Sequence, residues 1–482
     1  MASIQDTLLN DKLLQLECHF TWDLNKDDTD FNDLQNRLKD QIDSNDCKVG
    51  SLNFLAFTKY LQGLLEEARK DLEKAEEHIR KHKDGEKRLM VTYGNFAWVY
   101  YHMGEHAQSQ TYLDKLDQVK MRFPTEPPSA IHPVVYGEKA RTFLTFALKY
   151  HEKGKEYYEK ALEVEPLEIE WNTGYAVALY RTEADTKFTS IEESPASRQL
   201  KHTLVLDPNN AHMMVLLGLK HALYKEYQKA KELVEGALEL QPDNPYVTRY
   251  AAKYLRWHGS VEESIHLLKI ALERTPDSVF LHHQLALSYK RKRIDLCGLS
   301  GSGSNTGLEA TQQAARELLK LIIHHLEEAI SLKPSFIYAM VELGWSYAER
   351  GDIKKAEDMF QKTFNVATAK NESLQMVNFR YAEFQQYHNR SEPLAIKHYK
   401  EGLRLNKDTV NGHKSTKKLK TIANYRLSRN SQDGKALGIL GFVHQMKGEK
   451  LQAIECYEKA ILRDPGNEEY LSALCDLHLS LQ

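Results

Sequence analysis

Leu437 to Pro465 reads LGILGFVHQMKGEKLQAIECYEKAILRDP, and two helices can be read from it. Small or apolar residues fall at helical spacing up to Met446, Gly448 lets the chain turn, and Ala453, Tyr457 and Ala460 mark one face of a second helix that Pro465 stops. An alanine on each facing helix lets two backbones approach, and the tyrosine fills the space beside them. The stretch predicts a hairpin of two amphipathic helices.

The second-helix signature is a small or apolar residue, a second four on, a third three beyond it, and a proline five further. It recurs at Gly154, Tyr158, Ala161 and Pro166; at Ala196, Leu200, Thr203 and Pro208; and at Ala230, Val234, Ala237 and Pro242. It recurs again at Ser264, Leu268, Ala271 and Pro276, and at Ile322, Leu326, Ala329 and Pro334. Without the proline it is present at Ala68, Leu72 and Ala75; Ser109, Leu113 and Leu116; Ala356, Phe360 and Thr363; and Ala395, Tyr399 and Gly402. About ten units with a period near 34 residues are the signature of tetratricopeptide repeats, because a chance match would not return at the same phase. The predicted fold is all-α, a tetratricopeptide-repeat (TPR) superhelical solenoid whose core is spread along the chain.

A length of 482 residues, 41% of them hydrophobic and 28% charged, fits an ordinary soluble protein. No run approaches the roughly 20 apolar residues of a membrane helix, and a start of Met-Ala-Ser-Ile-Gln-Asp lacks the basic and apolar regions of a secretory signal. Five scattered cysteines without a Cys-x-x-Cys suit a reducing compartment and helix packing. A Gly-rich phosphate loop, Gly-x-Ser-x-Gly and His-Glu-x-x-His are all absent, so no enzyme is expected. The net charge of −3 means that any site for nucleic acid must be local.

Composition shifts divide the chain into an N-terminal helical segment (1–50), an N-terminal repeat lobe (51–135) and a central array forming a groove (136–292). A flexible Gly/Ser insertion (293–313), further repeats (314–406), a basic linker helix (407–434) and a C-terminal repeat (435–482) follow. The lobe ends in a loop marked by Pro124, Pro127, Pro128 and Pro133. His102 and His106 have the i, i+4 spacing of metal ligands but no third ligand nearby, and the Asp23-Asn25-Asp27 alternation lacks the glycine and final glutamate of a calcium loop. Neither is read as a metal site.

Repeat phase indexes the central helices. With Thr248, Ala251, Ala252 and Leu255 facing the core, Tyr246, Arg249, Lys253 and Arg256 form the inward stripe, with Tyr250 and Trp257 alongside. The next unit places Phe280, His283 and Lys290 on that stripe, flanked by Gln284; an earlier one places Glu170, Thr173, Val177 and Arg181 there, beside Tyr180. In the N-terminal segment Asp33, Arg37 and Gln41 share one face. On any single helix such a stripe reads equally well as a solvated face. Cations interleaved with aromatics on consecutive helices suit a phosphate backbone with stackable bases.

Five segments resemble one family: Cys18-His19-Phe20-Thr21-Trp22, Asn95 to Gly104, Gly174-Tyr175-Ala176 through Tyr180-Arg181, Arg249-Tyr250-Ala251-Ala252-Lys253 and Leu281-His282-His283-Gln284. These are similar to the interferon-induced proteins with tetratricopeptide repeats, and the resemblance covers essentially the whole chain. It implies a cytoplasmic antiviral effector that sequesters foreign single-stranded RNA by its 5′ end, with a triphosphate favoured. It leaves open capped RNA lacking 2′-O-methylation; the cationic groove by itself would also suit a scaffold that binds peptide or partner proteins, which the resemblance places second. The implied partners are single-stranded RNA with a free 5′ end and other family members or host proteins, with no membrane. No cofactor is required, although a Mg ion at the bound phosphates is implied near Asp33. By the same resemblance Arg37, Gln41, Arg181, Arg249, Tyr250, His283 and Gln284 reach the 5′-phosphates, while His151, Tyr246, Lys253, Arg256, Phe280 and Lys290 lie along the RNA path. Three positions depart from the family pattern. Thr145 stands for a phosphate-contacting lysine, His151 for a base-stacking tyrosine, and Arg141 for the tryptophan that cap-binding members stack on methylated guanine.

Overall fold

The computed structural model describes residues 4–43, 48–81, 85–127, 130–183, 188–298 and 305–480. Among them the regular elements are 24 α-helices and four short 3-10 turns, with no strand. The chain divides into two compact units, residues 1–295 and 296–482.

In the first unit α1 (Ile4–Leu14) and α2 (Phe31–Asp43) precede a run of helical hairpins. These are α3/α4 (Lys48–Leu61, Leu65–Arg80), α5/α6 (Leu89–His102, His106–Arg122), α7/α8 (Pro133–Phe146, His151–Val164), α9/α10 (Ile169–Thr182, Pro195–Leu206), α11/α12 (Ala211–Leu223, Tyr227–Leu240) and α13/α14 (Pro245–His258, Val261–Arg274). α15 (Val279–Gly298) follows. The small faces of the second helices are the contact faces: Ala68, Leu72 and Ala75 on α4 and Ala230, Val234 and Ala237 on α12 are all buried. Gly174 on α9 shows how close the approach is, since a Cβ there would lie 2.2 Å from Cζ of Tyr158 on α8.

The sequence boundaries at 50 and 135 do not separate bodies. Trp22 and His19 are buried, and His19 bonds Asn95 on α5 and, at 3.0 Å, the Thr142 hydroxyl on α7. Asn53 on α3 donates to Glu138 on α7 at 2.8 Å, and Lys139 on α7 donates to Glu17 at 3.0 Å. These links span the proline loop, so the N-terminal segment, the lobe and the central array pack together within one unit.

The second unit runs α16 (Asn305–Leu332), α17/α18 (Ile337–Arg350, Ile353–Lys370), α19/α20 (Leu374–Tyr387, Glu392–Leu405), α21 (Val410–Arg429), α22/α23 (Gly434–Lys447, Lys450–Ile461) and α24 (Glu468–Leu479). The quoted hairpin is α22/α23; Gly448 turns it at φ 79°, a left-handed conformation that favours glycine. Two sequence readings are corrected here. The 407–434 segment is not a linker, because α21 buries Leu419, Ile422 and Ala423, and Arg426 is held by Glu392 at 2.6 Å and Asp433 at 2.8 Å. The 293–313 insertion is helical through Gly298 and again from Asn305; its Gly/Ser centre, 299–304, lies outside the described residues.

One buried ion pair ties α9, α10 and α11 together. Lys220 on α11 and Glu183 after α9 keep 3% and 5% of their side chains exposed, and they bond each other. Glu183 also accepts from the Ser194 hydroxyl at 2.6 Å and from the Ala196 N–H at 2.9 Å, which anchors the start of α10. Burial would raise the Glu183 pKa, but Lys220, Ser194 and the Ala196 amide turn the shift downward, so the carboxylate is the stable form.

Candidate nucleic-acid interface

Asn244 and Pro245 start α13: the Asn244 side chain accepts from the Tyr246 N–H at 2.9 Å, and proline occupies the first turn. Val247, Ala251 and Tyr254 then bury into the core, which leaves Tyr246, Arg249 and Lys253 on the opposite stripe. Arg249 lies over the Phe280 ring at 4.0 Å and the Tyr250 ring at 5.0 Å. Tyr246 stacks on His212 at 4.9 Å.

The second element is the C-terminus of α7. The last carbonyls of a helix lack intrahelical donors and carry the negative end of its dipole. Here two of them hold arginines: the Leu144 carbonyl accepts from Arg181 Nη1 and the Thr145 carbonyl from Arg37 Nη1, both at 2.9 Å. Asp33 steadies Arg37 through Nε at 3.1 Å. The position expected to hold a phosphate-contacting side chain at Thr145 therefore contributes a backbone carbonyl that places an arginine.

Three guanidinium groups meet at this point. Burial lowers the Arg181 pKa, and the charges of Arg249 and Arg37 lower it further, opposed by Tyr250 and Tyr246. Burial would raise the Tyr250 hydroxyl, yet Arg249, Arg181 and Lys253 bring it below its ordinary value. His151, the first residue of α8, is pushed down to about 4 by burial and then by Arg181, with Arg37 adding to it. His212 is pushed down to about 3 by burial, Arg181 and Arg249. Four buried polar atoms here have no hydrogen-bond partner: His151 Nδ1, Thr173 Oγ1, His212 Nε2 and Arg249 Nε. Like charges gathered beside unsatisfied buried polar atoms are costly alone; an anion relieves the charge repulsion and gives the Arg249 Nε–H an acceptor.

The remaining predicted residues are spread around this centre. Gln41 accepts from the Ser51 hydroxyl at 2.9 Å, and Lys253 is exposed. Arg256 and Gln284, expected as separate RNA contacts, bond each other at 2.8 Å; Arg256 is 6% exposed, and burial lowers it to about 10. His283 is buried and Lys290 half-buried on α15. Arg141 lies on α7 near Glu138, which burial pushes up to about 7 against the pull of Asn53, Arg88 and Arg141; Arg88 pairs with Glu170 at 2.6 Å. Asp33 offers one carboxylate, already paired, and no cluster of three or more potential metal ligands occurs among the described residues.

His212 was missed, although the period could have found it. It lies 34 residues before Tyr246, which lies 34 before Phe280, so His212, Tyr246 and Phe280 occupy one register position in three consecutive repeats. The same shift takes Arg249 to His283 and Tyr250 to Gln284.

The fold defines a tetratricopeptide-repeat protein in which three guanidinium groups gather among helices of the first unit, and tetratricopeptide-repeat family models match residues 49–116, 136–166, 338–365 and 434–467. The human antiviral innate immune response effector IFIT1 is 37% identical over 463 residues, 95% of this chain and 96% of that protein. Human interferon-induced protein with tetratricopeptide repeats 2 is 34% identical over 96% of this chain and 97% of its own. This chain belongs to the family of interferon-induced proteins with tetratricopeptide repeats. Two solved structures of the human IFIT1 dimer, one with PPP-AAAA and one with m7Gppp-AAAA, align with TM-scores of 0.81 and 0.83 at 35% identity, each covering 95% of this chain and all of theirs.

Proposed function

We propose that this protein is an antiviral effector that holds the 5′ end of foreign single-stranded RNA, with a triphosphate favoured, and acts by sequestration in the cytoplasm without turnover. The observation that carries this reading is the meeting of Arg37, Arg181 and Arg249, from α2, α9 and α13, at a point edged by Tyr246, Tyr250 and Phe280. Guanidinium groups fork onto phosphate oxygens, and aromatic faces stack bases without regard to sequence. Family membership and the RNA-bound IFIT1 structures support it. A Mg ion brought by the phosphates would take most of its oxygens from them and at most one carboxylate, Asp33, from this centre; the reading does not depend on it.

Cap binding has a specific observation on each side. IFIT1 has been solved with m7Gppp-AAAA, but in this chain Arg141 stands beside Glu138 where a stacking aromatic would be wanted. The peptide-scaffold reading is tested by competition between peptide and RNA for the groove.

The deciding measurement compares one RNA as a 5′-triphosphate single strand and as a blunt duplex. A groove that threads one strand cannot admit a rigid A-form helix, so the single strand should bind far more tightly; equal affinities would overturn the reading. Affinity for the single strand should also fall with salt, with a log–log slope of about −2 if three arginines displace counterions. A slope near zero would place the ligand outside nucleic acid.

A further inference from the structure

We infer that His151 and His212 are phosphate ligands in the cationic form, so that seizing a 5′-triphosphate takes up protons and the grip tightens as pH falls. This rests on the 5′-phosphate reading above.

A neutral imidazole carries one N–H and one lone pair. In His151 the Leu144 carbonyl takes the N–H, so Nδ1, buried and without a partner, carries a lone pair, and the charges of Arg181 and Arg37 act on this ring. A phosphate oxygen beside Nδ1 would face lone pair to lone pair. Protonation removes the conflict by making both nitrogens donors. His212 Nε2 is likewise buried without a partner, and its ring lies on Tyr246 at 4.9 Å and Tyr250 at 5.8 Å, whose faces favour a cation.

The charges around each ring set the direction. His151 meets Arg181 from α9 and Arg37 from α2, with the Leu144 carbonyl from α7; the Asp28–Lys149 pair and Lys153 flank it through Tyr150. His212 meets Arg181 from α9 and Arg249 from α13, with Tyr246 and Tyr250. In the free protein the named charges closest to both rings are positive, so each ring stays neutral at pH 7. A triphosphate reverses the local sign and raises both rings. A group whose pKa is raised in the complex adds affinity as pH falls through the complex value, and the gain levels off below the free value. Each proton taken up corresponds to a tenfold gain in affinity per pH unit over that window.

Isothermal calorimetry of wild type, His151→Gln and His212→Phe with 5′-triphosphate AAAA at pH 6.5, in buffers of different ionisation enthalpy, counts the protons. The terminal phosphate itself titrates near about pH 6, so the comparison is between proteins with the same RNA. Wild type should take up more protons than each variant, by as much as about one per histidine. Ring carbon spectra of histidine-labelled wild type at the same pH provide a second readout that needs no variant: two rings should move to imidazolium positions on adding this RNA. Binding with equal proton counts in all three proteins, or with no ring shift, overturns the proton coupling and leaves the functional reading standing. No binding of this RNA at any pH overturns both.

Discussion

Arg181→Ala is expected to weaken 5′-triphosphate RNA by on the order of 2–3 kcal/mol, the range for hydrogen bonds to charged groups, or roughly 30- to 140-fold. RNA ending in a 5′-hydroxyl should lose far less. The structure gives the reason for the asymmetry. The Arg181 guanidinium is fixed by the Leu144 carbonyl at the end of α7, beside Arg249 and Arg37, so its free donors lie where the highest ligand charge would be concentrated. Lys253 is exposed on the next turn of the α13 stripe from Arg249, so Lys253→Ala should weaken both RNAs by similar, smaller factors. Affinities of the two variants for the two RNAs settle the point. Equal weakening of both RNAs by Arg181→Ala would remove Arg181 from the end pocket.

Lys220→Met is expected to cost about 3 kcal/mol of stability, the low end of the 3–5 kcal/mol range for breaking a buried ion pair. Glu183 keeps its bonds from Ser194 and Ala196, which moderates the loss. The double variant Lys220→Met/Glu183→Met should recover much of it, because no unpaired charge then remains buried. Urea denaturation of the three variants and wild type measures the cycle; a double variant less stable than either single would show that the charge itself is not the issue. The pH dependence has a definite sign. Glu183 is held below its unfolded value of about 4.3, so its contribution is complete above that value and is lost as pH falls through the lower folded value. The pair also serves the site, since Glu183 lies two residues after Arg181 and Lys220 approaches the Tyr180 ring at 5.7 Å.

The hairpins were legible because a repeat of near 34 residues writes the same contact face again and again: Ala68, Leu72 and Ala75 or Ala453, Tyr457 and Ala460 can be found without knowing what they touch, and all are buried. The same periodicity separated Tyr246 and Arg249 from the buried face of α13 that carries Val247 and Ala251, since helical phase alone decides which side of a helix faces the core. It also held His212, unread.

Only the tertiary structure decided the rest, because those features depend on pairs far apart in sequence. Arg37 joins Arg181 through two adjacent α7 carbonyls, a partnership 108 residues long in one case and 37 in the other. Arg256 satisfies Gln284 across two repeats, although each reads by itself as free to meet RNA. The proline loop reads as a boundary, but Asn53, His19 and Lys139 bond across it. A side chain's direction follows from its own helix, which the sequence encodes locally; its partner follows from how hairpins stack, which is fixed by the summed packing of many residues.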